Sequence, residues 1–301
     1  MRAVQFDEYG GPEVLHLAET TEPHAGPGQV RVAVEAVSVN PIDWKIRSGS
    51  LTEMMPVNLP HVPGFDAAGV VDEVGQNVVG VSVGDRVFGQ GPSVTAEYAV
   101  LDAFAPVPTP LTTVEAAALP MASETAARVL DLLELHAGAL VVIDGAAGGV
   151  GTAAVQLAVA RGFTVVGTAS EANHDYLREL GAIPTTYGEG LADRVHALVD
   201  NPVAGGIDLV GHGGVPDLVA LTGDPARVVT IADFGAGAQG VQVTTGASAF
   251  YALGEVAGLV EEGKFRVTVD EVIPWTEAAR AHELSQAGHV RGKIVLTVER
   301  G

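Results

Sequence analysis

The stretch Leu140-Val141-Val142-Ile143-Asp144-Gly145-Ala146-Ala147-Gly148-Gly149-Val150-Gly151 constrains this chain more than any other. Four consecutive apolar residues, Leu140 to Ile143, suit a strand covered on both faces. Glycines follow at once. Val150, Ala154, Leu157 and Ala158 then recur at helical spacing until Gly162 stops the run. A strand, a glycine turn and a helix start leave free backbone N–H groups where a pyrophosphate can sit. Gly148 lets the backbone approach the phosphates, and Gly148, Gly149 and Val150 are the expected cofactor-binding positions of the turn. Gly151 lets the helix pack closely on the strand. The spacing departs from G-x-G-x-x-G only in its first position, Ala146, and it lies after a strand and before a helix, as dinucleotide binding requires.

Two textures flank this stretch. Residues 1 to about 110 read as short strands between Gly/Pro turns such as Gly26-Pro27-Gly28 and Asn40-Pro41. Val30, Val32 and Val34 alternate with Arg31, Ala33 and Glu35 as in a half-buried strand. The pattern suggests a small barrel or sandwich. Ala105 to Pro110, with three prolines, reads as an extended linker. Strands and helices then alternate. Helices are expected over 113–118, over 123–135 with Ser123 as its cap, and over 150–161, 173–180, 191–199 and 250–262. Strands are expected over 140–144, 163–167, 185–187, 207–210 and 227–231. That rhythm implies a parallel, doubly wound sheet. The tail returns to strands at 266–269 and 293–298 around a helix at 276–287, and is expected to fold back onto the first domain.

Composition narrows the partners. A net charge of −21 argues against nucleic acid and anionic membranes. The absence of cysteine removes disulfides, thiolate metal sites and cysteine nucleophiles. The acidic start Met1 to Glu8 is unlike a signal peptide, and no run approaches the ~20 apolar residues of a membrane span, so a cytoplasmic location is expected.

Several motifs in order over nearly the whole chain carry a resemblance. They are Val39-Asn40-Pro41-Ile42-Asp43-Trp44-Lys45-Ile46-Arg47-Ser48-Gly49, the run from Pro63-Gly64-Phe65-Asp66 to Gly75, Val83-Gly84-Asp85-Arg86-Val87-Phe88-Gly89, the glycine turn, and Arg291-Gly292-Lys293-Ile294-Val295-Leu296. Together they resemble the zinc-independent, quinone oxidoreductase (zeta-crystallin-like) branch of the medium-chain dehydrogenase/reductase superfamily. The resemblance implies an α/β chain with a GroES-like β-barrel domain over 1–112, completed by 265–301, and a Rossmann domain over 113–264. It also implies a homodimer. Zinc-holding relatives carry Gly-His-Glu where this chain has Gly64-Phe65-Asp66, so no metal is expected.

The resemblance implies hydride transfer from a nicotinamide cofactor to a small acceptor, a quinone or an α,β-unsaturated carbonyl. The strand after the glycine turn ends at Ala169-Ser170, without the acid that holds the ribose of NAD, which favours NADPH; Glu171, beside it, works against a 2′-phosphate. Tyr187 either reaches that phosphate or is a solvated strand-end tyrosine. Ile231, at a later strand end, offers backbone groups to the nicotinamide. Asn40 either gives a donor for the developing oxyanion or only starts a turn. Lys45 stands where some relatives have tyrosine, as a hydrogen-bond donor or a solvated lysine, and Asp43 and Arg47 are expected to pair on one helical turn. Thr125 matches the family threonine beside the nicotinamide, or is an ordinary buried helix residue. Changes at Lys45, Ser123 and His212 leave two alternatives open: a scaffold reused for a cyclisation or isomerisation, and a non-catalytic nucleotide sensor.

Overall fold

The computed structural model describes residues 1–244 and 248–299. Two compact units emerge, one of residues 1–121 with 253–301 and one of residues 122–252. Among the described residues no helix is long and apolar enough to cross a membrane.

The first unit is organised by the long strand Val30–Val39. One edge pairs antiparallel with Asp66–Val74. The other edge is shared: residues 30–33 pair with Tyr98–Leu101, and residues 36–39 pair with Lys293–Thr297. The sheet runs Val269–Pro274, Lys293–Thr297, Val30–Val39, Asp66–Val74, Arg86–Gln90, Ala103–Pro106. The chain tail thus joins the first domain's sheet, as expected. Apolar alternation explains only the start of the long strand. Its second half is buried on both faces, because the helix Thr113–Ala117 and the tail elements cover it. The core includes Val32, Val34, Val37, Val71, Leu101, Trp275, Ile294 and Leu296.

The second unit holds six parallel strands in the order Ile183–Thr185, Thr164–Thr168, Leu140–Asp144, Val203–Asp208, Val228–Thr230, Gln242–Val243. Numbered along the chain that is 3-2-1-4-5-6, the doubly wound order. The order reverses between Leu140–Asp144 and Val203–Asp208, and in doubly wound sheets the ligand crevice lies beyond the carboxyl ends at such a reversal. All five residues of Leu140–Asp144 are buried, as an apolar run inside a parallel sheet should be.

Five expectations need correction. The strand expected at 207–210 is Val203–Asp208, which leaves Leu209 and Val210 beyond its end. The prolines at 106 and 108 do not make a linker of 105–110: Ala103–Pro106 is a strand paired with Arg86–Gln90, and Pro106 stands at its end. Ser123 is no cap, because the helix begins a turn earlier at Pro120 and runs to Leu132, leaving Ser123 fully buried within it. The tail strand lies at Val269–Pro274 rather than 266–269. The strand expected at 185–187 is Ile183–Thr185, which leaves Tyr187 in the loop beyond, 61% exposed.

Candidate active site

The glycine turn has a separate reason for each glycine. Gly145 sits at φ +82°, where L side chains are strained. A Cβ on Gly151 would lie 2.2 Å from the Gly145 carbonyl oxygen and 2.7 Å from Ala146, so this glycine is demanded by the fold. A Cβ on Gly148 would meet nothing closer than 3.5 Å, so the fold does not demand it, and the space in front of it stays open. The alanine in the motif's first position is matched elsewhere. A Cβ on Gly167 would lie 2.8 Å from that of Ala146, so the glycine on the next strand makes room for it.

The helix Gly149–Ala160 starts with no side-chain cap, and its first turn-closing bond runs from Thr152 N–H to the Gly148 carbonyl at 2.8 Å. The N–H groups of Gly149, Val150 and Gly151 precede that bond and lie at the positive end of the helix. Such a cradle fits a pyrophosphate. At the end of the neighbouring strand Ser170 is exposed, its Oγ accepting from Asn173 Nδ2 at 3.2 Å, and Glu171 is exposed beside it. Ala169 N–H donates to the Thr185 carbonyl, which ties Ser170 to the segment carrying Tyr187. Arg194 donates to the carbonyls of Thr186, Tyr187, Gly188 and Glu189 and so fixes that loop.

The strand ends at the crevice carry two buried acids, Asp144 and Asp208, in register with each other. Asp208 is satisfied by the N–H groups of Val210 and Gly211 and by the Thr230 hydroxyl. Asp144 accepts from the Thr168 hydroxyl. Burial, with Asp208 alongside, pushes the Asp144 carboxyl above the usual range. The N–H groups at the strand end that carries Ile231 are already used. Ile231 donates to the Asp208 carbonyl, and Ala232 and Asp233 donate to Thr230 Oγ1. In the helix Pro120–Leu132, Thr125 is buried and its hydroxyl donates to Glu124 at 3.2 Å. Glu124 is itself buried, pairs with Arg128 at 2.8 Å, and accepts from Ala249 N–H at 3.0 Å.

Asn40 and Lys45 belong to the first unit, Thr125 to the second. Asn40 precedes the helix Pro41–Arg47 and is only 3% exposed. Its Oδ1 accepts from Lys293 Nζ, its Nδ2 donates to Asp66 Oδ2 at 3.0 Å, and its N–H donates to Asp43 Oδ2 at 2.7 Å. Asp66, wholly buried, also accepts from Ser38 Oγ at 2.8 Å, Gln90 Nε2 at 3.2 Å and Met121 N–H at 2.9 Å. Lys293 Nζ lies 3.7 Å from Asp66 Oδ2. Burial pushes the Asp43 carboxyl up to about 7, opposed by the Asn40 N–H and reinforced by Asp66. Burial lowers the Lys293 ammonium, with Asp66 and Asp43 pulling back.

Sequence reasoning placed Lys293 and Asp66 in family motifs without giving them a role. The signal was present: each is a charged residue placed directly before an apolar run, Ile294-Val295-Leu296 and Ala67-Ala68-Gly69-Val70-Val71. The expected pairing of Asp43 with Arg47 does not form. Asp43 turns back to the Asn40 N–H, and Arg47 reaches Gln286 at 3.4 Å instead. The Lys45 ammonium lies 5.7 Å from the Trp44 ring centroid.

A family model described as "Alcohol dehydrogenase GroES-like domain" matches residues 26–108, and one described as "Zinc-binding dehydrogenase" matches residues 181–296. The chain is similar to the quinone oxidoreductase of Mus musculus, 30% identical over 98% of this chain and 97% of that protein. It is similar to the 2-methylene-furan-3-one reductase of Solanum lycopersicum, 31% identical over 98% of this chain and 79% of that protein. Among solved structures, a mycobacterial protein complexed with NADPH superposes with a TM-score of 0.85 at 27% identity, covering 99% of each chain. The residues present do not fit the zinc that the second model's description names. Phe65 offers no donor, the chain has no cysteine, and the Asp66 carboxylate is already taken by four hydrogen bonds and an ammonium.

Proposed function

Because the chain belongs to the quinone oxidoreductase family of medium-chain dehydrogenases/reductases and is thereby an NAD(P)H-dependent oxidoreductase, we propose that NADPH is its reductant. The acceptor in this reading is a quinone or an α,β-unsaturated carbonyl, and no zinc takes part. The observation that carries it is the uncapped helix start behind Gly148, with acid-free Ala169-Ser170 on the next strand. The family of the chain and the relatives' names support the acceptor class.

When bound, the nicotinamide supplies a hydride to an electron-poor carbon of the acceptor. The N–H groups of Gly149, Val150 and Gly151 hold the pyrophosphate, and Gly148 leaves it room. Ser170 and Tyr187 bind the ribose end, where the 2′-phosphate of NADPH finds hydroxyls and no strand-end acid. Ile231 contributes its carbonyl, since its N–H is spent on Asp208. Thr125 borders the nicotinamide and can only accept there, because its proton is committed to Glu124. As the acceptor takes the hydride, negative charge grows on its oxygen, and donors aimed at that oxygen lower the barrier. Asn40 orients the acceptor with its remaining Nδ2–H, and the Lys45 ammonium provides the second donor. A proton from solvent completes the product. The protein in this reading is a cytoplasmic homodimer.

The experiment is to mix the protein with NADPH and a panel of simple quinones and enones and follow loss of the reduced cofactor. Oxidation that depends on the acceptor is expected. No oxidation across the panel, or turnover of an acceptor with no loss of NADPH, overturns the reading.

A further inference from the structure

The Asn40 carboxamide is gripped at both ends by opposite charges: Lys293 Nζ donates to Oδ1, and Nδ2 donates to Asp66. Flipping it would turn its NH2 group toward an ammonium and its oxygen toward a carboxylate. Both contacts would become repulsive, so a single orientation survives. In that orientation one Nδ2–H remains uncommitted to Lys293 or Asp66. An ammonium on the carbonyl oxygen also draws electron density from the nitrogen, which strengthens that remaining donor.

The position of Lys293 makes cohesion alone a poor explanation. Its neighbours Ile294, Val295 and Leu296 are buried apolar residues, and it is itself only 7% exposed. Burying an ammonium is costly, and a buried ion pair often stabilises no better than apolar residues of similar volume. The strand Lys293–Thr297 nevertheless delivers this charge to the back of Asn40, from a segment remote in sequence. Asp66 then serves as counter-ion, held still by Ser38, Gln90 and the Met121 N–H.

We propose that Lys293 is a positioning residue for reduction: acting through Asn40, it locks the carboxamide so that its second Nδ2–H faces the acceptor oxygen on which charge develops. The inference rests on the reductase reading above. Lys293 never touches the acceptor; it sets the direction and strength of the donor that does.

The test uses the full chain, NADPH and 1,4-naphthoquinone. Lys293→Met alone leaves Asp66 buried and unpaired and is expected to fold poorly, so the informative variant is the charge-neutral pair Lys293→Met with Asp66→Asn. It is expected to lose about tenfold or more in kcat, with NADPH Kd and acceptor KM held within about twofold. Asn40→Ala is expected to lose a similar factor, and adding it to the neutral pair to cost less than about twofold more, because both act through one group. Lys293→Arg is expected to restore part of kcat. The inference is overturned if the folded neutral pair keeps kcat within about twofold, or if its loss multiplies with that of Asn40→Ala. If the wild type reduces no acceptor, the reductase reading has failed, and the locking is read separately. The Asn40 side-chain NH2 signals, identified by their loss in Asn40→Ala, should shift in the neutral pair, and unchanged signals overturn it.

Discussion

The glycine turn after Ile143 and the polar cluster around Asn40 solve the same problem in opposite ways. In the proposed reading, each offers hydrogen-bond donors to a negatively charged group. The turn does so with backbone, using amides that a helix start leaves unused and a glycine that leaves space. The cluster does so with side chains brought from residues 38–43, 66, 90 and 293, nearly all of them buried. Donors built from backbone need only local sequence. Donors built from side chains need the whole first unit to be closed. The turn should therefore tolerate distant change and fail locally, while the cluster should couple its chemistry to the stability of its unit.

The largest test of that contrast is Asp66→Ala. It strips four donors of their acceptor and leaves Lys293 as an unpaired buried cation, which costs about 3–5 kcal/mol by analogy with broken buried pairs. Both tryptophans, Trp44 and Trp275, lie in the first unit, so urea unfolding followed by their fluorescence reports that unit. The fluorescence midpoint should fall steeply.

Next is a pair of glycine changes. Gly151→Ala forces a methyl against the Gly145 carbonyl and should destabilise by about 1–3 kcal/mol through overpacking. Gly148→Ala meets no clash and should leave the melting temperature in place, yet lower NADPH affinity by about tenfold in a binding titration. Equal losses of stability in the two variants would erase the distinction between a fold glycine and a ligand glycine.

A pH series sharpens the comparison further. Burial, with Arg47 nearby, lowers His282 to about 3 from the ordinary 6.5. Its folded pKa is depressed, so its contribution is complete above about pH 6.5 and is lost as pH falls toward about 3. Asp43 runs the other way. Its folded pKa is raised from 3.8 to about 7, so its contribution is complete below about 3.8 and is lost as pH rises through about 7. Between pH 4 and 7, His282→Gln should tilt the stability of the first unit toward acid, and Asp43→Asn should tilt it toward alkali. Tryptophan fluorescence midpoints across that range check both slopes.

The smallest effect is expected at Glu171→Arg. The side chain is exposed and screened, so exchanging its charge should favour NADPH over NADH by only a few-fold in relative Kd. A larger change would mean that the 2′-phosphate lies closer to Glu171 than to Ser170.

The same contrast explains what could be read from sequence. The strand Leu140–Asp144, the turn and the helix behind it are local, and periodicity with glycine spacing identified each to within a residue or so. Thr164–Thr168, Val228–Thr230, His174–Glu179 and Leu191–Leu198 were read as closely, whereas the helix Val215–Thr222 and the short strand Gln242–Val243 were not anticipated. Ala103–Pro106 escaped because prolines look like a linker, although a proline at the end of a strand costs little pairing. The hairpin of Arg2–Gln5 with His16–Glu19 was not anticipated, since four-residue strands with half-exposed faces carry little pattern. The orientation of Asn40 was out of reach for a stronger reason. It depends on Lys293, two hundred and fifty-three positions away, and no local rule connects the two.

The strand Lys293–Thr297 covers the edge of Val30–Val39 over residues 36–39, while Tyr98–Leu101 covers only residues 30–33. During synthesis the N-terminal end leaves the ribosome first, and the parallel sheet of the inserted unit has all its strands in hand once residue 243 has emerged. The earlier-made half of the first unit must wait, with part of its central strand bare, until residues 293–297 have been made. A nascent chain of this design keeps an open edge for the whole interval between the synthesis of residue 39 and that of residue 293, the kind of edge that recruits chaperones or pairs wrongly with a neighbour.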